Sequence, residues 1–176
     1  MFSLFKKKEA SVKVIDKVWI SENAKWNGIR EECKKDNSTI VIAWFSSTAA
    51  RLETFMTGAA FTVHLAREIH TSQLTGKRVL FAEHHPLRSK EQEQYQQWQL
   101  KEAIVCSALE EPLFKKFGSD KIIAMMKQLG MKEEECVEHR LISGAIENAQ
   151  KKIGKKVITE HLANSQEEWM ERNLPD

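Results

Sequence analysis

Thr39-Ile40-Val41-Ile42-Ala43-Trp44-Phe45 is an unbroken run of β-branched and aromatic residues. A strand with one wet face alternates apolar and polar residues; a run without alternation predicts a strand covered on both faces, as in a parallel sheet. Two similar runs follow, Arg78-Val79-Leu80-Phe81-Ala82 after Gly76, and Ala103-Ile104-Val105-Cys106-Ser107. A partly alternating stretch from Val12 to Ile20 precedes them, and Phe61 to Ala66 is a shorter candidate. Between the strands lie helical patterns. Ser21 is placed to cap a helix to about Lys35 with Ala24, Ile29 and Cys33 inward. Ser46-Ser47-Thr48 starts a helix through Met56 that Gly58 ends. Beyond Pro86, the polar segment Ser89 to Leu100 reads as a surface helix. Past Glu110 the chain reads helical, with breaks at Gly118, Gly130 and Gly154 and a weak strand signal at Val157-Ile158. Strands alternating with helices predict an α/β fold around a mainly parallel sheet.

The length, 176 residues, suits one domain with a small appendage. The expected organisation is a loose tail over 1–11, an α/β domain over 12–117 and a helical C-terminal extension over 118–176 packed on that domain. A net charge of +2 does not call for a nucleic-acid partner. Cys33, Cys106 and Cys136 are sparse and odd in number, which fits free thiols in a reducing compartment. No apolar stretch is long enough to cross a bilayer, and Met1-Phe2-Ser3-Leu4-Phe5-Lys6-Lys7-Lys8 is not built as a secretory signal. A cytoplasmic location with no stable membrane insertion is therefore expected. The start could still touch an anionic surface through Phe2, Leu4, Phe5 and the lysines.

The C-terminal third carries an ordered set of short motifs: Ser107-Ala108-Leu109-Glu110, Phe117-Gly118-Ser119-Asp120, Leu129-Gly130-Met131, Glu138-His139 and Ala149-Gln150-Lys151-Lys152. In this order they resemble the segment that follows the second nucleotide-binding domain of the SecA export motors. The resemblance extends backward at lower specificity. Trp19-Ile20-Ser21-Glu22-Asn23-Ala24-Lys25-Trp26 looks like the family's entry into that domain. Arg78 to Arg88, with Glu83-His84-His85, looks like its Val-Ile-Gly-Thr-Glu-Arg-His-Glu-Ser-Arg-Arg stretch. The likeness covers roughly residues 13 to 153 and implies a RecA-like α/β domain, of the helicase C-terminal type, followed by helices.

The departures lie where such motors do their chemistry. Holding a nucleotide needs a phosphate cradle of backbone amides, a lysine and a magnesium-bound hydroxyl. No Gly-x-x-x-x-Gly-Lys-Ser/Thr occurs; Gly76-Lys77 lacks the earlier glycine and the following hydroxyl. The family's second domain also supplies a Gly-Arg-Gly-Thr-Asp loop and a Gln-x-x-Gly-Arg-x-Gly-Arg helix. Here the first place reads Ala66-Arg67-Glu68-Ile69-His70-Thr71-Ser72-Gln73. The second reads Glu91-Gln92-Glu93-Gln94-Tyr95-Gln96-Gln97-Trp98, without glycine or arginine. Glycine loss removes close backbone approach, and arginine loss removes the donors that stabilise a transferring phosphate. No catalytic or nucleotide-binding residue is carried over, and no cofactor is implied.

Two constellations remain. Glu83, His84 and His85, with Arg88, stand at the C-terminal end of a predicted strand, where open α/β sheets bind ligands. They could form a ligand, acid–base or metal site if His64 and His70 approach, or simply a structural pair. Tyr95 and Trp98 lie in the polar helix. An exposed indole there would anchor a protein partner, whereas a Trp98 folded back would be core. Cys106, on a strand, reads as packing rather than as a nucleophile. Ser46-Ser47 lacks the Gly-x-Ser-x-Gly turn of a hydrolase. The tail with Trp169, Met170 and Leu174 could dock on the body or on a second copy.

The expected function is a non-catalytic protein-interaction module, a degenerate stand-alone relative of the motor's second nucleotide-binding domain. The resemblance implies a partner among export machinery or preproteins. Alternatives are an accessory nucleotide-binding subunit of a translocation ATPase completed by another chain, and a small-molecule enzyme using the Glu83/His84/His85 region. A homo-oligomer is also open.

Overall fold

The computed structural model describes residues 12–57 and 61–174. The expected N-terminal tail and the Gly58 stop lie outside them. Five strands, β1 (Lys13–Trp19), β2 (Thr39–Ala43), β3 (Val63–Leu65), β4 (Arg78–Phe81) and β5 (Glu102–Ala108), form one sheet in the order β1-β5-β4-β2-β3. Every pairing is parallel. The fold is therefore the α/β class anticipated from the run Thr39 to Phe45, and it agrees with a RecA-like arrangement. The strand within that run closes at Ala43, and Trp44-Phe45 already leads into a helix.

Helices α1 (Glu22–Lys35) and α2 (Ser46–Phe55) cover one face. They bury Trp26, Ile29, Ala49 and Leu52 against Val41, Leu80, Ile104 and Cys106. Helix α3 (Arg88–Gln97) and the short 3-10 turns after β3 cover the other, where Phe81, Val105, Tyr95 and Trp98 meet. Coverage on both sides explains the lack of alternation in β2, β4 and β5. Ser21 caps α1 as expected, accepting from the Ala24 amide. Gly28 sits where α1 crosses the Trp19 ring, with no room for a Cβ.

Past β5 come α4 (Pro112–Lys115), α5 (Ser119–Gln128), α6 (Arg140–Gly154) and α7 (Gln166–Asn173). Gly118 adopts φ +81° at the start of α5, a left-handed turn that suits glycine. Val157-Ile158 forms no strand, and Ile158 stands fully exposed. Instead, α7 returns to the body and buries Trp169, Met170 and Leu174 with Phe45, Leu113 and Ile153. Val18 of edge strand β1 exchanges two backbone hydrogen bonds with Val137 (3.0 and 2.8 Å), which blunts that edge. Among the described residues no helix is long and apolar enough to cross a membrane.

Candidate functional site

In an open α/β sheet the ligand crevice opens beyond the C-terminal ends of adjacent strands whose helices leave to opposite faces. Here that place is between β2, followed by α2, and β4, followed by α3. Trp44, Phe45, Glu83, His84 and His85 meet there. The crevice is occupied by the chain itself. One Glu83 carboxylate oxygen accepts from the Trp44 and Phe45 amides (3.2 and 3.1 Å), and the other accepts from the Thr48 hydroxyl (2.6 Å). These donors surround the N-terminus of α2, where an anion would be held. The Ser47 amide donates to the Asn164 carbonyl (2.9 Å), and the Ser46 hydroxyl also faces Asn164. The segment leading into α7 thus lies across the crevice. Burial pushes the Glu83 carboxyl up to about 7, against the pull of the Lys25 charge and the Thr48 hydrogen bond.

Glu83, His84 and His85 do not converge. Successive side chains past a strand end point to different neighbours, and each is fully engaged. His84 lies between Glu91 on α3 (Nδ1, 2.8 Å) and Asp16 on β1 (Nε2, 3.0 Å). Burial pulls the imidazole down, but the Glu91 charge and the Asp16 contact outweigh it and hold it at about 10, so His84 is an imidazolium and no general base near neutral pH. Burial pushes Asp16 up, yet the His84 hydrogen bond and charge prevail and keep it below the usual carboxylate range. Glu91 also accepts from the His85 amide (2.8 Å) and from Gln150 of α6 (2.9 Å).

His85 points the other way. Its Nδ1 accepts from the Leu87 amide (3.0 Å) and its Nε2 faces Glu160 at 3.2 Å. Its ring is packed by Trp44, Phe45 and Trp169. The His85 hydrogen bond is the main reason that Glu160 falls to about 2. Arg88 pairs with Glu147 on α6 (2.8 Å). His64 lies on β3, separated from β4 by β2. Among the described residues no group of three or more His, Cys, Asp or Glu side chains is arranged to hold a metal.

Tyr95 and Trp98 are not surface anchors: they are only 2% and 4% exposed and pack on Phe81. Glu91, Tyr95 and Trp98 fall on one face of α3 at helical spacing, and that spacing was the available signal; the surrounding glutamines and glutamates hid it. Sequence reasoning also missed a second buried pair. The Lys25 ammonium contacts Glu111 (2.6 Å), the Ala82 carbonyl (2.9 Å) and the Trp26 ring. Burial raises Glu111 despite the Lys25 charge. Cys106 is fully buried and its thiol is pushed far up by burial, which suits packing and not nucleophilic attack.

No protein-family model matches the chain. A stretch of 46 residues, 26% of the chain, is 46% identical to the protein translocase subunit SecA of Acinetobacter baumannii (strain AYE). Over the same length the identity is 54% to the SecA subunit of Anaplasma marginale and 46% to that of Acetivibrio thermocellus. The match spans 5% of each relative's length. The chain therefore carries a SecA-related segment.

Proposed function

We propose that this protein is a non-catalytic interaction module, derived from the second nucleotide-binding domain of an export motor, that engages a protein partner linked to export. The observation that carries the reading is the self-filled crevice. The amides that would receive a phosphate are taken by the Glu83 carboxylate and the Asn164 carbonyl. A nucleotide would have to displace both and approach a carboxylate. The link to export rests on the SecA-related segment.

A protein partner is also supported by the outer side of α5. Ile123 and Met126 pack inward near Leu109 and Ile146, while Ile122, Met125 (53% exposed) and Leu129 (79% exposed), with Phe117, face outward. Large apolar side chains left outward on one helix are of the kind that a partner surface covers. The test is affinity capture from a lysate containing intact export machinery, using the wild type and an Ile122→Asp/Met125→Asp variant. The reading expects export components with the wild type and a loss of at least about tenfold with the variant. Equal recovery with both, or no export component with either, overturns it.

A further inference from the structure

A second site lies on the opposite side of His84. A cavity of about 490 Å³ opens between β1, α3 and α6, within the range of small-molecule pockets. Its polar lining includes Asp16, His84, Glu91, Tyr95 and Ser143. Its wall is apolar, formed by Val12, Val14 and Ile146.

Two observations point to a ligand. First, the Tyr95 hydroxyl is buried and, among the described residues, has no hydrogen-bond partner. Such orphans are rare and costly. Asp16, which also lines the cavity, faces His84 Nε2 at 3.0 Å. Second, the charges do not balance. The part-exposed Glu147 is met by Arg88 and Lys151, but the buried Asp16 and Glu91 give two negative charges against the single His84, which leaves one unmatched. Arg88 is paired with Glu147, so one imidazolium serves both Asp16 and Glu91. A buried set short of one positive charge favours a cation and rejects an anion. We propose that this cavity binds a small organic cation, an ammonium or guanidinium head on a short aliphatic stem. The head lies against Asp16 and the Tyr95 hydroxyl, and the stem lies along Val12, Val14 and Ile146. The same chemistry is offered by a free amine and by a lysine or arginine side chain of another protein. The inference does not depend on the export reading.

The experiment titrates the full chain with butylguanidinium, butylammonium, an acetyl-Ala-Arg-Ala-amide tripeptide and butanol, following amide shifts by NMR. Saturable shifts around Asp16 and Tyr95 with a cation but not with butanol are expected. Binding led by the free cations identifies a small-molecule ligand; binding led by the tripeptide identifies a protein side chain. Tyr95→Phe removes only the orphan hydroxyl, so it should fold normally and weaken cation binding by about tenfold. No saturable binding of any cation, equal response to butanol, or full affinity in Tyr95→Phe overturns the proposal.

Discussion

His84 is buried between two carboxylates, and its charge governs how stability responds to pH. Folded, it titrates at about 10; unfolded, it returns to its ordinary value of 6.5. The stabilisation is complete below that ordinary value and drains away as pH rises toward 10, because only the folded state keeps the proton. Glu83 acts in a lower window. Its folded value of about 7 exceeds the ordinary 4.5, so its neutral form favours folding in acid and that contribution is lost as pH rises through 7. Glu160, held at about 2, has the opposite sign: its contribution is present above the ordinary 4.5 and is lost as pH falls toward 2. Urea unfolding across pH should therefore show a declining midpoint from near neutrality to pH 10. His84→Gln should abolish the alkaline part of that decline and lower stability by roughly 3–5 kcal/mol, since two buried carboxylates lose their cation. A variant with an unchanged alkaline slope would show that His84 is not the responsible group.

At the scale of elements, α1 and α3 illustrate what was legible. The Ser21 cap and the inward Ala24 and Ile29 declare α1, and the structure has them. What no periodicity announces is the close crossing at Gly28, where the helix rests on Trp19. Gly28→Ala should raise helix propensity by about 1 kcal/mol and still destabilise by roughly 1–3 kcal/mol through overpacking. A higher melting temperature for that variant would contradict the packing. Helix α3 was read as a solvated helix because its composition is polar, yet its inner face is Glu91, Tyr95 and Trp98. A carboxylate can be core only when partners elsewhere meet it, and those partners, His84 at the end of β4 and Gln150 on α6, lie outside the helix. The strand-end position of Glu83-His84-His85 was legible for the same reason that the strands were: an unbroken apolar run, Val79 to Ala82, followed by Pro86. Their divergent aims were not, because each depends on which neighbour the tertiary fold supplies.

Across the whole molecule, the C-terminal segment joins the layers. Gln166 bridges the Leu113 amide and the His84 carbonyl (2.7 and 3.0 Å), and Trp169 seals the cluster with Phe45 and Leu113. Trp169→Ala should cost roughly 3–5 kcal/mol and lower the melting temperature by about 10 °C; a shift below a few degrees would mean that the segment is a loose appendage. Since α7 and its approach also cover the crevice, stability and loss of ligand access have one cause. The central claim is that the strand-end crevice is filled from within. It is tested most directly by titrating the intact protein with a fluorescent ATP analogue and magnesium. The account predicts no saturable signal up to millimolar nucleotide; micromolar binding that unlabelled ATP competes away would contradict it.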